Sequence, residues 1–253
     1  MRIDLNSDMG ESYFHWEMGA DAAIMPHISS ANIACGGHAG DPSTMRATLR
    51  LARAHRVTPG AHPGFPDIAG FGRRVVPMPP AEIADSVLAQ VGALAALARA
   101  EGLALAHVKP HGALYHHAAS VPAVARALAE AIAAFDAGLA IVTQSGSVLE
   151  RAAQAAGLRV AREAFADRAY EPDGTLRGRQ HADSMILDYE RNLAQALSIV
   201  REGCVVAHDG SRVPVMAETL CLHGDAPGAG KRAAFLRRGL EAAGVTVAPL
   251  GSA

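Results

Sequence analysis

The chain has little of what would commit it to nucleic acid, to a membrane or to disulfide chemistry. Its 253 residues carry 23 Lys+Arg against 25 Asp+Glu, a formal charge of -2, and no basic run forms an arm for nucleic acid or lipid. Small-molecule partners are expected instead. Met1-Arg2-Ile3-Asp4-Leu5 has no apolar leader, and no apolar run is expected to approach the length that spans a bilayer, which reads as a cytoplasmic protein. The three cysteines, Cys35, Cys204 and Cys221, are scattered without a Cys-x-x-Cys pair, so buried thiols are expected rather than a zinc ribbon or a redox dithiol. Aromatic residues make up only 4% of the chain while alanine and glycine abound, which suits helices packed closely on a sheet better than a β-sandwich.

Several motifs are missing too. There is no G-x-G-x-x-G after a strand, no H-E-x-x-H and no G-x-S-x-G, which argues against a dinucleotide fold, a zincin and a serine hydrolase. The glycine-rich stretch 224–232 fails the ATP-loop pattern, because Asp225 stands five before Gly230 and Arg232 follows Lys231 where Ser or Thr is required. Its amides could still meet a phosphate group.

What is present is an alternation of short strands and amphipathic helices. Arg2-Ile3-Asp4-Leu5-Asn6 reads as a first strand that breaks at Ser7-Asp8, and 29–35 as a strand of small residues. Asp41 and Pro42 suit the N-cap and first turn of a helix with Met45, Leu49 and Ala52 on one face. A strand at 57–64, an irregular loop at 65–80 and a helix at 81–100 follow, the loop long enough to suggest a lid. The run 103–106 then leads into His107-Val108-Lys109-Pro110-His111-Gly112. Beyond it we expect helices at 121–133, 148–156, 184–201 and 231–243, with strands at 139–142, 159–168, 204–207 and 217–222. Seven or eight strand-helix alternations without a linker predict one α/β domain over 1–253, a β/α barrel.

The reactive residues gather at the expected strand ends, where barrel active sites lie. Asp4, Asn6 and Asp8 share one side of the first strand, which points to a polar cavity, with Glu11 just beyond. His38 follows Gly36-Gly37, His62 ends the third strand, and His107, Lys109 and His111 share a face if the chain stays extended through Pro110. Arg73 and Arg74 could grip a carboxylate or phosphate together. Glu163, Asp167, Arg168, His223 and Asp225 reach the same mouth from later strands. Such a His/Asp collection suits either metal-free acid-base catalysis or a divalent metal, for which Asp8, His38 and His62 are the candidate ligands.

Six ordered blocks carry a resemblance: Asp4 to Ser12, Ile28 to Pro42, Gly60 to Arg74, His107 to Tyr115, Phe165 to Tyr170, and His223-Gly224-Asp225. In these blocks the chain resembles the LamB/YcsF family of 5-oxoprolinase A subunits. It departs at Ser7, where that family commonly has cysteine, at Gly37, where it has phenylalanine, and in the Tyr13-Phe14-His15-Trp16 loop. The resemblance implies a deformed (β/α) barrel of about seven strands, like the glycoside hydrolase/deacetylase superfamily. It implies ATP-dependent opening of 5-oxo-L-proline to L-glutamate, shared with subunits B and C. We expect Asp8, Lys109, His111, Glu163 and Asp167 to be catalytic. Asn6, Glu11, Asn32, His38, His62 and His107 are expected around the substrate, as are Arg73, Arg74, Arg168, His223 and Asp225. A metal-dependent deacetylase and a non-catalytic 5-oxoproline-binding subunit are the competing readings.

Overall fold

The computed structural model describes residues 1–224 and 228–250. Seven parallel strands close into a barrel: β1 (Arg2–Met9), β2 (Ser30–Ala34), β3 (Thr58–His62), β4 (His107–Val108), β5 (Ala140–Gln144), β6 (Arg159–Phe165) and β9 (Thr219–Cys221). Closure comes from β9, which pairs with β6 through Glu163 and Thr219 and with β1 through Asp4 and Thr219. The strands are unequal, β4 having two residues against eight in β1, so the barrel is deformed as the resemblance implies.

Helices α2 (Pro42–His55), α3 (Pro80–Ala100), α5 (Pro122–Phe135), α6 (Val148–Ala155), α7 (Tyr189–Glu202) and α8 (Ala229–Ala242) wrap the barrel, with short α1 (Asp21–Ile24) beside α8 and α4 (Gly112–Ser120) before α5. Asp41 caps α2 as expected, accepting from the amides of Ser43 (2.9 Å) and Thr44 (3.3 Å), with Pro42 in the first turn. Between strands and helices lies a core of Leu5, Ile33, Val108, Ile141 and Leu220 against Leu49, Val91, Leu94, Leu128 and Leu236. Burying each such side chain contributes roughly 1.5–3 kcal/mol.

Four expectations are corrected. The first strand does not break at Ser7: it runs to Met9, because the Ser7 hydroxyl donates to the Leu222 carbonyl (2.6 Å) and is satisfied inside the sheet. Cys204–Val206 (β7) is not a barrel strand but pairs antiparallel with Arg212–Pro214 (β8) in a separate hairpin, whereas Thr246–Val247 (β10) adds an unforeseen parallel strand beside Arg2 and Ile3. The segment after Lys109 holds an extra helix, α4, which ends before Pro122 opens α5. Finally, α3 is long and apolar enough by length and composition to cross a membrane. Here its Ile83, Val87, Val91, Leu94 and Ala98 stripe is buried in the core.

At the end of α3, Glu101 accepts Arg46 (2.6 Å) and Arg50 (3.0 Å) from α2, and the bonds from Arg50 and Arg46 pull its carboxyl from 4.5 to about 2. A depressed folded pKa means stability present above 4.5 and lost as pH falls through about 2. Glu101→Gln should therefore flatten the decline of Tm over that window, which a Tm-against-pH series measures; an unchanged slope would show that the arginines contribute nothing there.

Candidate active site

Alternation along β1 turns Asp4, Asn6 and Asp8 inward, so the barrel interior is a stack of polar layers. In the deepest, Asp4 accepts from the hydroxyls of Ser29 and Ser30 (both 2.7 Å) and of Thr219. Burial pushes its carboxyl up against those bonds. Above it Asn6 donates to Thr219 Oγ1 (2.6 Å) and Glu163 Oε1 (3.2 Å), and its carbonyl accepts from Asn32 (2.7 Å). His107 Nε2 bonds Asn32 Oδ1 (2.7 Å). Residue 60 has to be glycine here, since a Cβ would lie 2.2 Å from the His107 ring.

Beyond Val108 the chain stays extended, the Lys109 amide bonding Ala61 O (2.9 Å) and the His111 amide Pro63 O (2.8 Å), before Gly112 opens α4. Lys109 thus points into the centre of the barrel mouth. Its ammonium, on a side chain only 3% exposed, lies 2.9 Å from Asp8 Oδ1, 2.8 Å from Glu163 Oε1 and 3.2 Å from Cys221 Sγ. Burial disfavours the Lys109 charge, but Asp8, Cys221 and Glu163 outweigh it and hold the ammonium well above its usual range. Burial likewise works against the Asp8 carboxylate, yet His62 and Lys109 together hold it well below the usual range. Asp8 is ionised at neutral pH.

Over this pair opens a cavity of about 360 Å3 whose wall includes Asp8, Glu11, His62, Lys109, His111 and His223. Arg73, Arg168 and Arg179 give it a cationic rim, and Phe71, Tyr115 and Phe165 an apolar side. Asp167 is fully buried behind His223, accepting from its amide (2.8 Å) and facing its Nδ1 (2.9 Å), which leaves Nε2 for the cavity. On the other side His38 stacks on His111, centroids 3.6 Å apart and planes within 4°. Burial, reinforced for His38 by His62 and for His111 by His38, keeps both rings neutral.

Several expected site residues stand elsewhere. Asn6, Asn32, His107 and Glu163 lie beneath the cavity wall, so they brace Asp8 and Lys109 rather than meet a ligand directly. Burial, then the Lys109 charge, lowers His107 to about 3, so it is a neutral brace. Asp167 is likewise a support. The two adjacent guanidiniums do not clamp one anion: Arg73 reaches the rim beside Phe71, while Arg74 turns outward to Asp67 (Nε to Oδ2, 3.0 Å). The loop 65–80 forms a wall, Phe71 O meeting His111 Nε2 at 2.9 Å. Asp225 lies outside the described residues. A phenylalanine at 37 has no room, as a Cβ there would lie 2.3 Å from Gln90 Oε1, which accepts from the Gly64 amide (3.0 Å).

Sequence reasoning missed Tyr115 and Cys221 as site groups. The Tyr115 hydroxyl is buried without a hydrogen-bond partner, and burial plus the nearby Glu163 raise its pKa well above the usual value. Its position four after His111 at a helix start was the available signal. Two sets of donors converge among the described residues: Glu11, His38, His62 and His111, and Asp8, Cys221 and His223. In the second, Asp8 and Cys221 already meet a cation, the Lys109 ammonium.

Named proteins resemble this chain over nearly its whole length. The chain is 60% identical over 247 residues to the 5-oxoprolinase A subunit of Chloroflexus aggregans, covering 98% of each. It is 48% identical to the protein of the same name from Pyrococcus furiosus, covering 99% of this chain and 98% of that one. The crystal structure of the lactam utilization protein from Thermus thermophilus superposes with a TM-score of 0.93 at 50% identity, over 98% of this chain and 99% of that one. Residues 3–253 match the LamB/YcsF family, and the chain belongs to it.

Proposed function

We propose that this chain is the A subunit of an ATP-dependent 5-oxoprolinase and carries out the hydrolytic half of opening 5-oxo-L-proline to L-glutamate. The observation that carries the reading is an ionised carboxylate, Asp8, locked to Lys109 at the floor of a small cavity with a cationic rim. The names borne by close relatives support it.

Amide resonance makes the lactam carbon resist water. Transfer of the terminal phosphoryl group of ATP to the lactam oxygen removes that protection, and we assign this step to the partner subunits B and C because this chain lacks an ATP-loop sequence. Water then adds to the ring carbon as Asp8 takes its proton, while Lys109 stabilises negative charge developing on oxygen. The carbon–nitrogen bond breaks and the nitrogen takes a proton from His223, oriented by Asp167. The acyl phosphate left behind yields glutamate and phosphate with a second water. Arg73, Arg168 and Arg179 meet the substrate's carboxylate and phosphoryl oxygens. The need for ATP is met in the cytoplasm, where the complex works.

Glutamate formation is measured for the purified chain alone and with its two partner subunits, with and without ATP. Glutamate should appear only from the full set with ATP. Deacetylation by the chain alone, abolished by a chelator, would replace this reading with the deacetylase; turnover by the partners without this chain would reduce it to a binding subunit.

A further inference from the structure

The four residues Glu11, His38, His62 and His111 present a shortage of protons that a cation would resolve. His62 Nδ1 lies 2.7 Å from Lys109 O and His111 Nε2 lies 2.9 Å from Phe71 O. A carbonyl oxygen only accepts, so each ring must place its N–H there. The remaining nitrogens, His62 Nε2 and His111 Nδ1, face each other at 3.0 Å, with Asp8 Oδ2 a further acceptor 3.3 Å from His62 Nε2, so either His62 carries a second proton or an ion sits among them. A carboxylate oxygen joins them. Glu11 Oε1 lies 3.4 Å from His111 Nδ1 and 3.2 Å from His38 Nε2.

All four donor atoms lie within 4.8 Å of one another. Bonds of about 2.0–2.1 Å in a tetrahedron set ligands roughly 3.3 Å apart. Three of the six separations, 3.0, 3.2 and 3.4 Å, bracket that value. The fixed second bonds of His62 and His111 to carbonyls are also how ligating imidazoles are held in orientation. His38 lacks that bond, its Nδ1 being buried without a partner, and its ring lies parallel on His111, so it must turn out of the stack before the two in-plane lone pairs meet at one ion.

We propose that Glu11, His38, His62 and His111 form a site for one divalent transition ion of the zinc type. Three imidazoles and one carboxylate suit such an ion better than magnesium or calcium, which prefer oxygen. The set differs from the one expected from sequence: His38 and His62 stay, while Glu11 and His111 stand in place of Asp8, whose Oδ1 meets Lys109 and Asn32 and whose Oδ2 lies 3.3 Å from His62 Nε2. An ion held there would serve as a Lewis acid beside the cavity. The proposal rests on donor geometry alone and is tested without the lactam reaction.

The full chain is stripped with chelator, dialysed, and titrated with zinc or cobalt(II) alone, reading metal content, cobalt absorption in the visible and Tm. One equivalent per chain, a four-coordinate cobalt spectrum and a raised Tm are expected. Loss of even an outer-shell partner costs about 10–100-fold in metal affinity, so His111→Asn and Glu11→Gln should each weaken binding at least that much. Glu11, 14% exposed in its side chain, is the variant that preserves the fold, checked by a Tm equal to that of the stripped wild type. His27→Asn, away from the cluster, should bind normally. A folded wild type whose Tm ignores metal and chelator would overturn the proposal and leave a proton shared by His62 and His111. Binding unaffected by Glu11→Gln and His111→Asn would overturn it equally.

Discussion

Lys109→Met should abolish ATP-dependent turnover in the reconstituted complex and lower the Tm of the chain on the order of 10 °C. Methionine keeps much of the length and fills the space, so the change removes a charge more than a volume. What remains is Asp8 facing Glu163 with the cation gone from between them, where it had lain 2.9 and 2.8 Å away. Breaking a buried ion pair from one side costs about 3–5 kcal/mol, and a domain of this size loses about 2–4 °C per kcal/mol. One carboxyl then relieves the repulsion by taking a proton. Adding Glu163→Gln to Lys109→Met should restore part of the Tm but none of the turnover, which separates the burial of charge from the chemistry. Thermal melts and single-turnover assays on the variants decide it; a Lys109→Met chain that keeps normal turnover removes the ammonium from the mechanism.

Asp8→Asn should reduce turnover at least roughly a hundredfold, the scale on which a positioned general base contributes. The amide preserves shape, and its carbonyl can still accept from Asn32, which donates 2.8 Å to Asp8 Oδ1. Lys109 keeps Glu163 as its counter-charge. The fold should therefore survive with a small change in Tm, and association with the partner subunits should be normal by size-exclusion chromatography. If kcat stays near that of the wild type while the complex assembles, proton abstraction belongs to another carboxylate, of which Glu11 also lines the cavity.

Local patterns made much of the barrel legible. Asp41-Pro42 announced α2 because a side-chain acceptor and a residue without an amide donor both fit a helix start. The Ile83, Val87, Val91 and Leu94 stripe announced α3. The errors fell where partners distant in sequence satisfy a residue that looks like a break. Ser7 and Asp8 continue β1 because Leu222, beside the neighbouring β9, and Lys109, in the barrel mouth, meet them. Thr246–Val247 is too short to read as a strand, yet Arg2 and Ile3 complete its ladder. Helix α4 hid behind Gly112 and the histidines 116 and 117, which show no clear apolar stripe.

The sequence by itself determined which residues could be reactive and at which strand ends they arrive, because side-chain alternation and glycine turns are properties of a few neighbouring residues. Asp8, Lys109 and His111 were therefore visible before any fold was known. Only the tertiary structure decided how these groups are shared out: Lys109 between Asp8 and Glu163, Asp167 behind His223, Arg74 turned away to Asp67, and Glu11 with three imidazoles around a common point. Those assignments depend on barrel closure and register, which bring side chains 157 positions apart, those of Asn6 and Glu163, within hydrogen-bond distance. Within a few ångströms, electrostatic and hydrogen-bond energies change steeply, so a role in the site follows from the distance that the closed barrel imposes.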